Sequence, residues 1–269
     1  MIKLIPILTL VNIAATLLPA APSQTPTMNA WRILEQGTGH KRAAKRANAV
    51  HALRLLTHNP RAQEMAERLL ADPDAKVRAA AARALGPIGA VSSIPKLKAL
   101  LSDTEPKVVL AAAHSLYLLG DRKDVYDLDH ELLTGERKSA DGFVTSQLNE
   151  LRDPRILASM GFETGVGFLP FGGEAYEVVK RIRKDDHTPV RVAAAKELAD
   201  DRDPAIDSAL TKACSDKKWP VRAAAIYAIA KRDNPAFISM ITPMLDDSNE
   251  VVRDEAAAAV LRLGEEEHQ

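Results

Sequence analysis

The side chains that could carry out chemistry in this 269-residue chain do not form a familiar catalytic or metal-binding pattern. Cys214 has no obvious His partner to activate its thiol, so we interpret it as a small apolar filler. His51 and His58 can share a helical face, but no third ligand accompanies them. Residues 127–131 are rich in Asp, His and Glu, whose side chains could bind a metal, but on a helix these side chains point in several directions. We therefore predict no catalytic residue, no metal site and no cofactor.

Composition points to a soluble helical protein with small side chains between its helices. Hydrophobic residues make up 46% of the chain, but aromatic residues only 4%. The charge is balanced, with 36 Lys and Arg against 36 Asp and Glu, and gives no sign of general nucleic-acid affinity. A single Cys excludes a disulfide framework within the chain and every multi-Cys metal site.

A repeated pattern runs through most of the chain. Five segments carry Asp, four further residues and then Val: Asp72–Val77, Asp103–Val108, Asp185–Val190, Asp216–Val221 and Asp247–Val252. Arg follows the Val in four of them, then an Ala cluster, then an aliphatic residue eight positions after the Val. The spacing within each half is 31 residues, and a weaker copy contains Arg46. Apolar residues at i, i+4 and i+8 predict a helix, and a second helix follows. Neither helix can bury its apolar face alone, so we expect successive units to stack.

This pattern resembles the HEAT-repeat family, specifically its short-unit bacterial type, which is similar to the repeats of phycobilisome lyases. The resemblance rests on Asp-x4-Val-Arg-x2-Ala-Ala-x-Ala-Leu as it stands at Asp72 to Leu85, and covers about 40–135 and 174–264. It implies an all-α fold, a right-handed α-solenoid of about six or seven helix pairs, spanning 31–264. It also implies that the first helix of each unit, with its Val-Arg pair, lines the convex face and the second lines the concave face.

The resemblance further implies a ladder of ion pairs between layers, built by the repeated Asp and Arg. An Arg fork can hold a carboxylate by two hydrogen bonds, and the Asp lies near free N–H groups at a helix start. We interpret these charges as structural rather than catalytic. The expected pairs are Asp72 with Arg78, Asp185 with Arg191, Asp216 with Arg222 and Asp247 with Arg253.

The regular spacing breaks between Val108 and Val190, which are 82 residues apart. A degenerate unit occupies 139–160, and a Gly- and Phe-rich insertion follows at 161–173. An apolar insertion is either a docking loop for a partner or a membrane, or a plug that fills the gap between two half-solenoids. Its candidate binding residues are Phe162, Phe168, Leu169 and Phe171.

Two basic clusters offer alternative binding surfaces. Lys41, Arg42, Lys45 and Arg46 could contact nucleic acid or anionic lipid, but they are more typical of the solvated face of a terminal repeat. The second cluster follows the insertion and could line the concave side; it comprises Lys180, Arg181, Arg183 and Lys184.

The ends of the chain differ from the repeats. Residues 1–21 have a Lys, a 15-residue apolar stretch and a small-residue exit, the pattern of a cleaved secretory signal. We expect a flexible linker at 22–30 and a solvated acidic tail at 265–269. The alternative for the N-terminus is an uncleaved membrane anchor.

Together these features predict an exported, periplasmic or extracellular protein that is not an enzyme. Its expected role is that of a scaffold that binds a protein partner on the concave face, with no nucleic-acid partner. The alternatives are a lyase-type enzyme or chaperone that acts on a protein substrate, and a membrane-anchored regulatory protein.

Overall fold

The computed structural model describes residues 25–123, 187–201 and 203–264, and every regular element in these ranges is a helix. The predicted signal segment, the degenerate unit, the insertion 161–173 and the acidic tail lie outside the described residues. The α-helices are α1 Pro26–Thr38, α2 Ala43–Ala52, α3 Pro60–Arg68, α4 Ala75–Ile88, α5 Ile94–Ala99, α6 Pro106–Leu118, α7 Thr188–Glu197, α8 Pro204–Ala213, α9 Trp219–Ala230, α10 Ile238–Ile241 and α11 Glu250–Gly264.

Proline and short polar side chains begin these helices. Pro26 opens α1, and the hydroxyl of Thr25 accepts a hydrogen bond from the Met28 N–H at 3.2 Å. Asn59 and Asp74 cap α3 and α4 in the same way. Each cap satisfies an N–H that has no partner within its helix. The predicted linker at 22–30 is therefore wrong from Pro26 onward, because α1 begins there.

Ten of the eleven α-helices in the described residues form two sets, and α1 packs against both α2 and α11. The stacking helices α2, α4, α6, α7, α9 and α11 carry the Val-Arg motif or its equivalent, and each packs against the stacking helix of the next layer. The flanking helices α3, α5, α8 and α10 contact mainly the stacking helix that follows them in the chain. This arrangement confirms the all-α solenoid.

The layers are not stacked in the order of the chain. Helix α11 packs against α1 and α2, so the layers follow one another as α7, α9, α11, α2, α4, α6. The N-terminal unit therefore lies in the middle of the stack rather than at its end. Ala30 and Leu34 of α1 are fully buried, and the two halves share one hydrophobic core.

Alanine keeps the layers close. The run Ala256–Ala259 is fully buried in α11, as are Ala111 and Ala112 in α6. Gly86 allows a closer approach still, because a Cβ there would lie 2.9 Å from the Ser115 Oγ. That hydroxyl donates instead to the carbonyl oxygen of Ala82 at 2.7 Å. Larger side chains at such sites would cost about 1–3 kcal/mol each by overpacking.

The stacking helices lie on the inside of the curve. They contact each other from layer to layer, whereas the flanking helices do so far less. Moreover, Lys196 of α7 lies close enough to Arg54, in the 3-10 turn directly after α2, and to Glu255 of α11 to interact electrostatically with both. Since α9 and α11 stand between α7 and α2, only a tightly curved stack brings these groups together. The expectation that the second helices line the concave face is therefore wrong. The helices that carry the Val-Arg motif or its equivalent line it instead.

Candidate functional site

A ladder of Arg–Asp pairs ties successive layers together. Arg222 holds Asp247 with Nε–Oδ2 at 2.8 Å and Nη2–Oδ1 at 2.7 Å. The same two-bond contact joins Arg46 to Asp72 and Arg78 to Asp103, and Arg191 is bonded to Asp216. Each Arg thus binds the Asp of the next layer.

The predicted partners of the ladder need correction. Within one motif the Arg does not bind the Asp carboxylate but its main-chain carbonyl oxygen. Arg78 Nη1 donates to the Asp72 oxygen at 2.9 Å, and Arg222 Nη1 donates to that of Asp216 at 2.8 Å. Arg253 does the same with Asp247 at 2.6 Å. Asp185, the predicted partner of Arg191, lies outside the described residues.

Each ladder Asp also organises the turn before its helix. One carboxylate oxygen of Asp72 accepts the N–H two residues later at 2.9 Å, and Asp103, Asp216 and Asp247 repeat the contact. The Arg78 guanidinium holds the pKa of Asp103 below its usual value. Burial by itself raises the pKa of Asp72 and Asp247, but the bonded Arg and the N–H outweigh it, so these pKa values are also lowered.

The ladder is interrupted where the two halves meet. His40 occupies the Asp position of the first unit: its Nδ1 accepts the Arg42 N–H at 3.0 Å, and its carbonyl accepts Arg46 Nη1 at 2.8 Å. A ring nitrogen preserves the turn, but His40 offers no carboxylate to Arg253. A different set of contacts must therefore join α11 to α2.

The junction uses ion pairs of its own. Arg54 binds both oxygens of Glu255, at 2.8 and 3.2 Å, and its guanidinium lies 4.6 Å from the centre of the Tyr227 ring. Glu255 is only 4% exposed. Lys45 pairs with Glu250 at the same interface. The basic cluster around Lys41 is thus not the face of a terminal repeat, because Lys45 and Arg46 join neighbouring layers.

A buried acid accompanies this junction. Asp254 and Glu255 stand where the α4 and α9 repeats have Ala79–Ala80 and Ala223–Ala224. Burial raises the pKa of Asp254 to about 7, and the charge of Glu250 adds to the effect. Asp254 Oδ1 would lie 3.4 Å from a Cβ at Gly37, which shows how closely α1 and α11 approach.

The concave face carries a row of polar side chains at one helical position, which we call the concave stripe. These residues follow the ladder Arg, or its equivalent Val109, by five positions, and all are partly exposed: Lys196, Tyr227, His51, Arg83 and His114. In α11 the position is taken by Ala258. This stripe was not predicted from the sequence, although its constant spacing from the Arg could have revealed it.

The stripe is a crowded cationic environment. Burial lowers the pKa of His51 well below its usual value, and the charges of Arg54, Lys196 and Arg83 lower it further. Burial and Arg83 likewise lower the pKa of His114. Burial lowers the pKa of Lys196 to about 8, so most of it remains charged at pH 7.

The remaining candidates are structural or lie outside the described residues. Cys214 is buried in the apolar core, and burial raises the pKa of its thiol to about 12. Within the described ranges, no three His, Cys, Asp or Glu side chains could together hold a metal ion, and no helix could span a bilayer. The predicted binding residues of 161–173 and 180–184 lie outside these ranges.

The two ends of the stack expose apolar side chains. Leu110, Tyr117 and Leu118 of α6 and Val190 of α7 are each about half exposed. These helices flank residues 124–186 in the chain.

Comparisons with solved structures give weak overall likeness. Human deoxyhypusine hydroxylase in complex with glycerol is 19% identical over 88% of this chain and 85% of its own, with a TM-score of 0.32. The complex of CpcE and CpcF of phycocyanin lyase from Nostoc sp. PCC7120 is 18% identical over 94% and 99%, with a TM-score of 0.34. An engineered protein is 17% identical over 88% and 97%, with a TM-score of 0.32. At these values the likeness carries no functional information.

The repeats themselves are matched more directly. No curated protein sequence matches the chain. A family profile described as HEAT repeats, however, matches residues 32–117, 62–136 and 177–261, together more than half of the chain. The matched segments contain five of the six stacking helices of the described residues in full, and α11 up to residue 261. The protein therefore belongs to the HEAT-repeat family.

Proposed function

We propose that this protein is a non-enzymatic scaffold that binds a protein partner on its concave face. The observation that carries the proposal is the continuity of this face: six stacking helices from both halves form one curved surface. Helices pack about 8–10 Å apart, so six of them offer a contour of roughly 45 Å. That length accommodates several contacts, of which a few would dominate the affinity.

The ion-pair ladder supports this role. The Arg–Asp pairs and the buried Ala faces hold each layer in a fixed register with the next. A surface that is already ordered loses little conformational freedom when it binds. Repeats of this family serve many functions, so the proposal rests on the surface and not on the fold.

Ionisable groups with shifted pKa values can indicate an active site, but the examples below are either enclosed or already bonded. This supports a non-enzymatic role. Asp254 is enclosed at the junction, and Cys214 lies in the core. On the concave face, Glu255 is the acid beside Lys196, but both of its oxygens are held by Arg54. It is therefore poorly placed to exchange a proton with a substrate.

We further propose that the protein is exported and acts in the periplasm or outside the cell. The Lys, apolar stretch and small-residue exit of residues 1–21 support this. Mass analysis of the exported chain tests it. A mature N-terminus near Pro22 is expected, and a retained N-terminal segment would favour the membrane-anchored alternative.

Site-specific photo-crosslinking in the producing cells tests the scaffold. A photoreactive amino acid replaces Tyr227 on the concave face or, as the control, Arg68 on flanking helix α3. We expect a discrete protein adduct at the concave position and none at the control. No adduct at either position, or the same adducts at both, would contradict the proposal.

A further inference from the structure

The concave stripe contains two cations that lack anionic partners among the described residues. Arg83 of α4 and Lys196 of α7 are partly buried, and neither makes a hydrogen bond or an ion pair with another described side chain. Other partly buried Arg side chains on the stacking helices, or in the turn directly after α2, are bonded: Arg46, Arg54, Arg78 and Arg222 each hold a carboxylate. Arg83 and Lys196 therefore differ from the structural cations of the fold.

An unpaired, partly buried cation is costly, since it gives up water without gaining a partner. Arg83 presents five N–H donors, and its neighbours in the stripe, His51 and His114, offer no negative charge. Glu255 faces Lys196, but Arg54 already occupies its oxygens. With respect to the residues that the structure describes, the stripe is therefore a surface with unsatisfied donors and excess positive charge.

We propose that the concave stripe binds an acidic segment of the protein partner, with one carboxylate at Arg83 and another at Lys196. This inference rests on the proposed function and adds the chemistry of the ligand. The two cations stand on α4 and α7, which are not adjacent in the stack, so a chain with several carboxylates fits them better than one small anion. Tyr227 and His51 add hydrogen-bonding groups and flat apolar surface between the two charges, and His114 lies one layer beyond Arg83.

Fluorescence anisotropy with a labelled ten-residue peptide of Asp and Glu tests the proposal. The full protein is compared with the variants Arg83→Met and Lys196→Met, which keep most of the apolar stem of each side chain. We expect each single variant to bind about tenfold more weakly and the double variant about a hundredfold more weakly. The control Arg68→Ala, on α3, should bind like the unchanged protein.

Two further measurements sharpen the result. Thermal melting should show that Arg83→Met is at least as stable as the unchanged protein, because it removes an unpaired charge, so weaker binding cannot be attributed to unfolding. A Lys peptide of equal length should not bind. The proposal is overturned if the acidic peptide fails to bind, binds all variants equally, or is fully displaced by inorganic phosphate at constant ionic strength.

These outcomes are separable from those of the proposed function. If Tyr227 crosslinks a partner but the acidic peptide does not bind, the scaffold stands and the acidic ligand is wrong. If the peptide binds through Arg83 and Lys196 but no partner is crosslinked in cells, the scaffold role is wrong and the anion site remains.

Discussion

Replacing Arg222 with Ala removes the ladder contact between α9 and α11. In the folded protein Arg222 makes two bonds to Asp247 and one to the carbonyl oxygen of Asp216. The two side chains are only 13% and 10% exposed, so the variant strands a largely buried carboxylate. Breaking a buried pair costs about 3–5 kcal/mol, and the residual exposure favours the lower end. We expect a loss of about 3 kcal/mol, which corresponds to about 6–12 °C in a chain of this size.

Urea denaturation of matched variants measures this loss. Arg68→Ala is the control, because its pair with Glu64 is 61% and 70% exposed and contributes well under 1 kcal/mol. Arg222→Ala combined with Asp247→Ala should recover part of the loss, since no charge is then stranded. Equal midpoints for Arg222→Ala and Arg68→Ala would refute the reasoning.

The pH dependence identifies the stranded acid. The folded pKa of Asp247 is lowered, so its pairing stabilises the protein above the unfolded pKa and is lost as the pH falls through the folded value. The stability of the unchanged protein should therefore fall more steeply below about pH 4 than that of Arg222→Ala. Parallel pH profiles would mean that the pair does not couple to folding.

Three further outcomes test the junction between the halves. Asp254 has a raised pKa of about 7, so its burial weakens the fold progressively as the pH rises from about 4 through 7. Asp254→Asn should therefore raise the free energy of unfolding by about 3 kcal/mol at pH 8.5 and by almost nothing at pH 4. Urea denaturation measures this difference, and a difference that does not depend on pH would contradict the prediction. Gly37→Ala places a methyl group 2.5 Å from a side-chain carbon of α2 and should cost about 1–3 kcal/mol in a thermal melt, whereas Gly264→Ala, with open space around it, should cost nothing measurable. In the double variant Lys45→Cys and Glu250→Cys, a short bismaleimide should join the two new thiols within one chain, because the native side chains form an ion pair. The product is seen as a mobility shift on a gel, and the native Cys214 does not interfere because it is buried. Absence of this product would reject the stacking of α11 on α2.

The repeat length and the helices could be predicted from the sequence, but the partners in the ladder were assigned wrongly. The Arg stands six residues after its own Asp and 25 before the next one. Within six residues the chain makes a turn and begins a helix, which brings Arg222 to the carbonyl oxygen of Asp216 and not to its carboxylate. One repeat length further on, Asp247 faces the free edge of the guanidinium.

The order of the layers could not be predicted from periodicity. A regular 31-residue pattern indicates that units stack, but says nothing about a contact between the first and the last unit. The signal lay in the departures from the pattern: His40 replaces the Asp of the first unit, and Asp254 and Glu255 replace Ala in the last. In the structure, Asp254 lies beside Gly37 and Glu255 binds Arg54, so both meet the first unit, which is also the unit that contains His40.

The faces of the solenoid were reversed for a related reason. Apolar periodicity identifies the buried side of a helix, and both helices of a unit have one. Which helix lies inside the curve depends on which set can approach more closely. The stacking helices are lined with Ala, including Ala111 and Ala256, so they pack more tightly than the flanking helices and take the inner side.

The irregular ion pairs at the junction give the two halves a specific way to meet. If every layer carried the same Asp–Arg pair, α11 could stack on any helix that offers the next ladder Asp, and repeat chains with equivalent interfaces are prone to such misassembly. His40 has no carboxylate to offer Arg253, while Arg54 donates two hydrogen bonds to Glu255 across the same interface. Glu255 is almost fully buried, so any stacking that lacks Arg54 deprives its carboxylate of both hydrogen bonds from that guanidinium. The buried pair thus adds little to stability beyond what Ala would supply, but it penalises the alternatives, and the concave face that both halves share forms only when the correct helices meet.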